Sequence, residues 1–387
     1  MIIKNGYIHT QLEPPFQGDI QVEDGKIVAI ERQIVPGQGE EVIDANGLQV
    51  FPGLVDAHTH LGIVEEGIGF EGADHNERSH PLTPNMRGMD GFNPQDSAIL
   101  ESAMAGVTAA AVGPGSANVI GGLYSLVKLK GDKADDMCIK EGIGMKCAFG
   151  ENAKRVFTAQ KRSPNTRMAI AAELREILYK TKEYVEKQDR YQADPDQADR
   201  PSYDMKLEAL APVIRGDLPL KVHAHRADDI STAMRICKEF DLNMTIDHCS
   251  DGHLIADHIA QGGYDCIVGP TLGFRTKPET RNKTFRTPSV LLEKGLRVAI
   301  TTDHPVIPLR ELRICAAYAG REGLGIDEAM KAITLYPAQI MGVEDRIGSL
   351  AVGMDADIVL WTGHPFDIFS TVERTIIDGE TVYDSRA

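Results

Sequence analysis

The stretch Pro52-Gly53-Leu54-Val55-Asp56-Ala57-His58-Thr59-His60 decides the fold and carries the first chemical signal. Its apolar run is typical of a buried β-strand and leads directly into two histidines separated by one residue. Side chains alternate between the two faces of a strand, so His58 and His60 project to the same side, close enough to chelate one cation. On this spacing alone, two hydrogen-bonded or exposed side chains at a strand end explain the pattern equally well.

Three later segments have the same form, an apolar run that ends in side chains able to bind a metal ion. They are residues 220–225 with His223 and His225, residues 244–248 with His248, and residues 298–304 with Asp303. A core histidine satisfied by hydrogen bonds could account for one such strand end. Four of them in one chain are explained far better by a metal site.

Short apolar runs alternate with helix-like segments through the middle of the chain. Strands are predicted at residues 53–57, 108–112, 144–149, 220–222, 244–246, 265–268 and 297–300, and helices at 169–188, 228–240 and 326–333. This alternation indicates parallel βα units, and so many in succession favour an α/β fold built on a (β/α)8 TIM barrel. The strand ends of such a barrel open onto one face, so the candidate ligands should meet in one cavity. The polar residues 186–204 predict an irregular surface insertion.

Both ends of the chain differ from the middle because they are rich in short strands and turns. Residues 1–50 form a β module too small to close a core, and the same texture returns after residue 346. Chain ends often lie near each other. We therefore predict one discontinuous β-sandwich domain, from residues 1–51 and 346–387, beside a barrel domain of residues 52–345.

The composition excludes several classes of protein. The chain has 387 residues with 57 acidic and 41 basic side chains, and its net charge of −16 argues against binding to nucleic acid or an anionic membrane. No apolar run approaches the roughly 18 residues of a membrane helix, and no signal peptide is evident, which favours a cytoplasmic protein. The six cysteines form no CxxC pair, so no cysteine zinc site is expected. The expected partner is a small-molecule substrate, and a homo-oligomer is an open alternative to a monomer.

Residues 53–60 resemble the first-strand signature of the amidohydrolase superfamily, and residues 348–359 are similar to its C-terminal strand signature. The resemblance covers nearly the whole chain. Three further segments, residues 83–87, 113–118 and 150–155, resemble the imidazolonepropionase-like subgroup. The resemblance implies a metal-dependent barrel with a flanking β-sandwich and one or two divalent ions per chain, zinc being the expected metal.

The resemblance also implies roles for the candidate ligands. His58 and His60 would bind the more buried ion, and His248 would bind a second ion or orient the substrate. Asp303 would coordinate metal and take a proton from the attacking water, whose pKa the metal lowers. The expected reaction is hydrolysis of a C–N bond in an acyclic amide, a cyclic amide or an amidine.

Two ligand positions stay open. On the fifth barrel strand His223 and His225 share a face, and relatives often place an acid three residues after the ligand, which Asp228 matches for His225. The ligand between two metals would be a carboxylated lysine or a glutamate on a middle strand, which Lys146 and Glu151 offer. Glu151 is preferred because it lies at the strand end and needs no modification, although a helix cap or a salt bridge would also explain it.

Substrate contacts are sought in the loop after the first strand, since loops at this end of a barrel commonly contact substrate. His75 and Arg87 lie there, and the planar guanidinium of Arg87 suits a substrate carboxylate. Ordinary solvent exposure explains both residues equally well. Asp228 is a partial match for the acid that heterocycle deaminases carry, so an aminohydrolase is the alternative activity. A non-catalytic, oligomeric paralogue is the alternative outside enzymes.

Overall fold

The computed structural model describes all 387 residues and places sixteen strands in two eight-stranded sheets. The strands are β1 Ile2–Ile8, β2 Phe16–Glu23, β3 Lys26–Glu31, β4 Val42–Asp44, β5 Gln49–Pro52, β6 Leu54–Thr59, β7 Val107–Val112, β8 Ile120–Lys128, β9 Cys138–Ala148, β10 Leu220–Ala224, β11 Met244–His248, β12 Asp265–Val268, β13 Val298–Ile300, β14 Ile358–Trp361, β15 Val372–Ile377 and β16 Glu380–Asp384. Strands β6 to β13 form the barrel, and the other eight form a separate sheet. The expected α/β architecture is confirmed.

Eleven α-helices cover the barrel and connect its strands. They are α1 Ser97–Met104, α2 Ala134–Met137, α3 Glu151–Ala159, α4 Arg167–Ala193, α5 Met205–Arg215, α6 Ala227–Phe240, α7 Ala256–Gly262, α8 Thr287–Glu293, α9 Leu312–Ala319, α10 Ile326–Lys331 and α11 Leu335–Met341. Short 3-10 helices lie at Gly88–Gly91, Gly252–Leu254, Pro278–Thr280 and Leu309–Glu311. No helix is long and apolar enough to cross a membrane.

Both chain ends build the separate sheet, as predicted. Its order is β16-β15-β14-β5-β1-β2-β3, with β4 beside β1, and β14 runs antiparallel to β5. Only Gly53 separates β5 from the first barrel strand, β6. A Cβ at Gly53 would lie 1.9 Å from Thr108 Oγ1, so only glycine allows β6 to approach its neighbour this closely. The domain boundaries at residues 51/52 and 345/346 stay a prediction.

The barrel strands follow one another in chain order from β6 to β13. The two edge strands meet through the hydrogen bond from Thr301 Oγ1 to the carbonyl of His58 (2.6 Å) and that from the His60 N–H to the carbonyl of His304 (2.9 Å). These bonds bring the histidine pair of β6 against the segment that carries Asp303. The barrel is nearly closed at this seam.

One barrel strand departs from the expected parallel arrangement. β8 runs antiparallel to both β7 and β9, and the sequence patterns predicted no strand there. Residues 113–119 join β7 to β8 without a helix, which is the hairpin connection that antiparallel strands permit. Because the pattern of alternating strands and helices has no signal for a strand without its helix, this one was missed.

Local signals account for the helix boundaries near the predicted insertion. α4 extends to Ala193, beyond the predicted end at residue 188, so irregular backbone begins only at Asp194 and the predicted bounds 186–204 are wrong at their start. α5 then begins after Asp204, whose side chain accepts the N–H groups of Lys206 and Leu207, and ends at Gly216 in the left-handed conformation.

Candidate metal centre

Six side chains at the carboxyl ends of the barrel strands form two groups with metal-ligand chemistry. The first ligand group is His58, His60 and Asp303, and the second ligand group is His223, His225 and His248. In each group the candidate ligand atoms lie within 4.8 Å of one another. All six are buried except Asp303, which is partly exposed. The structure therefore brings the predicted histidines and Asp303 to one end of the barrel.

Hydrogen bonds orient several of these imidazole rings. His58 Nδ1 lies 2.6 Å from Asp247 Oδ2, His60 Nδ1 lies 2.8 Å from the carbonyl of Gly113, and His248 Nδ1 lies 2.7 Å from the carbonyl of Gly269. Carbonyl and carboxylate oxygens only accept, so each Nδ1 carries the proton and donates it. Each Nε2 is then left with a free lone pair, the arrangement usual for histidines that bind a metal.

Asp303 lies between the two groups. Its Oδ1 is 3.4 Å from His60 Nε2 and 3.7 Å from His58 Nε2, and its Oδ2 is 4.0 Å from His248 Nδ1. Asp303 and His248 both have a positive φ, of 53° and 73°, although neither is glycine. Such conformations cost about 1 kcal/mol or more and cluster at functional sites, where the surrounding structure holds them.

Burial keeps the histidines neutral, which metal binding requires. Burial, followed by the charges of Lys146 and Lys221, holds the pKa of His58 well below its usual range. Burial and the neighbouring rings likewise hold the pKa values of His225 and His248 well below theirs. At neutral pH all three rings therefore offer a lone pair rather than a charge.

Lys146, and not Glu151, reaches the first ligand group. Lys146 is fully buried on β9, and its Nζ lies 3.1 Å from His58 Nε2. Burial lowers the pKa of its amine to about 8, against the opposing charges of Asp247 and Asp303. Glu151 begins α3, and its side chain belongs to neither ligand group and does not line the cavity. The structure does not bring the preferred Glu151 to either ligand group, because the chain turns into the helix before this side chain reaches the barrel mouth.

Both fifth-strand histidines belong to the second ligand group, so the structure does not choose one over the other. His223 and His225 lie with their ring centroids 4.8 Å apart, and each also lies within 4.8 Å of the ring of His248. The Nδ1 of His225 is 2.8 Å from Ser250 Oγ, whereas neither nitrogen of His223 has a hydrogen-bond partner.

Two further residues at the site had no sequence signal. The hydroxyl of Tyr124 lies 3.2 Å from His58 Nε2 and is fully buried on β8, the strand that the sequence patterns missed. Glu279 lies in the loop after β12 with only 1% of its surface exposed, and its Oε1 is 3.7 Å from His225 Nε2 and 3.8 Å from His223 Nε2. In the sequence, Glu279 stands among lysines and prolines and looks like an ordinary surface loop.

A cavity of about 560 Å³ opens above the ligand groups. Besides Lys146, its wall carries the side chains of four basic residues, Arg78, Arg155, Lys277 and Lys283. Asp303 is the only carboxylate on this wall. The cavity is thus rich in positive charge although the chain as a whole carries a net charge of −16.

Of the three predicted substrate contacts, the structure brings only His75 to this cavity. Burial lowers the pKa of its ring to about 4, and its Nδ1 has no hydrogen-bond partner. Arg87 lies elsewhere, in an ion pair with Glu141, and Asp228 is 2.8 Å from Arg226 at the exposed start of α6. Neither side chain lines the cavity, because each is engaged by a nearby partner outside it.

Comparisons with known proteins agree with this geometry. A model of the amidohydrolase family matches residues 49–382. An amidohydrolase from Thermotoga maritima is 42% identical, with a TM-score of 0.96 over 99% of each chain. The amidohydrolase tasK of Hapsidospora irregularis is 28% identical over 95% of this chain and 40% of its own length. An imidazolonepropionase of Paracidovorax citrulli is 31% identical over 37% of this chain and 34% of its own length. The chain thus matches less than half the length of either of these two curated relatives.

Proposed function

Because the chain belongs to the amidohydrolase family, we propose that it is a metal-dependent hydrolase that cleaves a C–N bond in a small molecule carrying an anionic group. The convergence of two ligand groups on one cavity carries the proposal. Family membership supports hydrolysis of a C–N bond in general. The substrate, the number of ions and their identity are the parts that experiment has to supply.

The residues at the barrel mouth fit divalent metal ions. The buried rings of the candidate ligands are neutral. Both ring nitrogens of His223 and one carboxylate oxygen of Glu279 are buried in the same region without a hydrogen-bond partner. Imidazole with carboxylate is the donor set that zinc prefers. His58, His60 and Asp303 would hold one ion, and the second ligand group would hold another. Such an ion would lower the pKa of a water molecule and polarise the bond to be cleaved.

The chain's own residues supply the proton transfer. Asp303 Oδ1 faces His58 and His60, which leaves Oδ2 on the cavity wall to accept a proton from water. Asp303 then delivers this proton to the departing nitrogen, as a general base that becomes a general acid. The neutral ring of His75 lines the cavity and would contact the substrate there.

The anionic group of the substrate is inferred from the cationic wall. Lys283 is only 8% exposed, and its ammonium group has neither a hydrogen-bond nor an ion-pair partner. Arg78 and Arg155 also form no ion pair. A buried charge without a partner is costly, and a substrate carboxylate beside Lys283 would relieve that cost. Acyl-amino acids and dipeptides with a free carboxylate combine such a group with a C–N bond.

Deamination of a heterocycle is less well supported, because Asp228, the residue that favoured it, pairs with Arg226 outside the cavity. The screen that separates the two activities uses metal-reconstituted protein with acyl-amino acids, dipeptides, lactams and aminopyrimidines. Amine and ammonia release are followed separately. A chain that binds less than about half an equivalent of divalent metal and cleaves none of these compounds would support the non-catalytic alternative.

The anionic preference has its own test in Lys283→Met. A charge-assisted hydrogen bond is worth about 1.5–3 kcal/mol, so KM for a carboxylate substrate should rise about 10- to 150-fold. KM for the neutral amide analogue of the same substrate should not change. Arg281→Met is the matched control, since this exposed cation of the same loop does not line the cavity. An equal rise of KM for both substrates would contradict the assigned contact.

A further inference from the structure

We propose that Glu279 is an additional protein ligand for a divalent ion bound by His223 and His225 of the second ligand group, so that this ion is held without the amine of Lys146. The inference rests on the metal binding in the proposed function and adds a ligand from the loop after β12. Glu279 would then add a carboxylate oxygen to the ring nitrogens of His223 and His225 at one side of the barrel mouth.

The distances suit one shared ion. Glu279 Oε1 lies 3.7 Å from His225 Nε2 and 3.8 Å from His223 Nε2. Two ligand atoms at this separation, each about 2.1 Å from a zinc ion, subtend an angle of about 125–130°. A cation can therefore bind Glu279 Oε1 together with either ring at the present separations.

The polar atoms around this position lack other partners. Glu279 Oε1 and both ring nitrogens of His223 are buried without a hydrogen bond. A buried polar atom left unpaired costs about 1–3 kcal/mol, and a cation between Glu279 Oε1 and His223 Nε2 would satisfy both atoms. The other carboxylate oxygen, Oε2, is already fixed by the backbone N–H of Glu151 at 3.1 Å. A Cβ at Gly150 would lie 2.8 Å from Oε2, so the glycine lets the backbone hold the carboxylate from behind.

The nearest fixed cation does not fill this position. Lys277 Nζ is 3.6 Å from Glu279 Oε1, but it donates a hydrogen bond to Asn152 Oδ1 at 3.0 Å. Lys277 is also more exposed than Glu279. Lys277 therefore offsets part of the buried charge and leaves the space between the carboxylate and the two rings open. The competing explanation is an ion pair between Glu279 and a protonated His223.

Metal content separates these explanations. Metal-free protein is titrated with Zn²⁺ against a chromophoric chelator, and with Co²⁺ while its visible spectrum is recorded. Wild-type chain should bind two ions. Glu279→Gln, which has nearly the same shape, should bind the second ion at least about 100-fold more weakly, and the cobalt spectrum should change. Lys146→Met should retain the second ion. Glu151→Gln is the matched control and should behave as wild type.

The outcomes are distinguishable from failure of the proposed function. Unchanged zinc affinity and an unchanged cobalt spectrum in Glu279→Gln would overturn the proposal and favour the ion pair with His223. Loss of both ions in Lys146→Met would also overturn it, because the second ion would then depend on that amine. If circular dichroism shows Glu279→Gln to be unfolded, Glu279→Asp decides by the same measurements, since it keeps the charge and withdraws the ligand atom. A wild-type chain that hydrolyses substrate with one ion refutes only this inference, and one that binds no ion refutes both.

Discussion

The lowered pKa of Lys146 leads to a prediction about its chemistry. An amine adds carbon dioxide only in its neutral form, giving a carbamate and releasing a proton. With a pKa of about 8, roughly 9% of the Lys146 amine is neutral at pH 7, against about 0.03% at the ordinary value of 10.5. The neutral fraction is therefore about 300-fold larger than for an exposed lysine. We expect Lys146 to be carboxylated and to supply carbamate oxygens beside His58.

The assay is carbon-13 NMR of metal-reconstituted protein in labelled bicarbonate. Wild-type protein should show one carbamate signal, and Lys146→Met should show none while binding the ion of the first ligand group about 10- to 100-fold more weakly. At a fixed concentration of dissolved carbon dioxide, the rate of carboxylation should fall about tenfold from pH 7 to pH 6, because the amine becomes protonated. Folding should change little in Lys146→Met, since the amine forms no ion pair.

Two comparisons make this prediction sharp. Lys154→Met, a partly buried lysine of α3 outside the cavity, should keep the carbamate signal. Lys128 is as buried as Lys146 but faces three carboxylates, which outweigh burial and raise the pKa of its amine, so it should give no signal. A wild-type spectrum without a carbamate signal, together with full metal content in Lys146→Met, would refute the reasoning.

Two further predictions concern stability. Gly53→Ala should lower the free energy of unfolding by about 1–3 kcal/mol, because its Cβ would meet Thr108 Oγ1 at 1.9 Å, whereas Gly91→Ala, whose nearest contact is 3.7 Å, should stay within about 0.5 kcal/mol. Equal values in urea denaturation would contradict this. Burial lowers the pKa values of His75 and His304 to about 4, so the unfolded chain binds more protons between pH 6.5 and 4 and stability is lost as the pH falls. The free energy of unfolding of metal-free protein should fall by about 1–2 kcal/mol per histidine from pH 7 to pH 5, and His75→Gln should reduce this fall. An unchanged pH dependence of unfolding in His75→Gln would contradict the prediction.

The sequence predicts that the candidate histidines converge because strand periodicity determines where most of them point. His58 on β6 and His60 just after it project to one side, as do His223 on β10 and His225 just after it. In a barrel, side chains that point to the same face at the carboxyl ends of the strands converge, independently of the paths that the loops take. This reasoning is local and needs no knowledge of loop paths, and the structure brings these side chains together as it expects.

The same reasoning fails wherever a loop or an irregular strand decides the position of a side chain. Glu151 and Lys146 are five residues apart, yet the chain turns into α3 between them and takes only Lys146 inward. Tyr124 reaches His58 because β8 runs against the direction of its neighbours, and Glu279 reaches His223 because the loop after β12 brings it beside β10. Arg87 has the right chemistry for an anion but is engaged by Glu141. No periodicity in the sequence encodes these paths.

Charge is where overall composition and local structure diverge most. A net charge of −16 predicts repulsion of small anions at long range, yet the cavity wall presents four basic side chains besides Lys146, and one carboxylate. Charges separated by more than about 10 Å are largely screened at physiological salt, so the nearby cations, and not the distant acids, set the potential that a bound substrate experiences. In the proposed function, selection of an anionic substrate would therefore fall to Lys283 and its neighbours. Affinity for a carboxylate substrate should accordingly fall only modestly as salt rises, because the closest contact is buried.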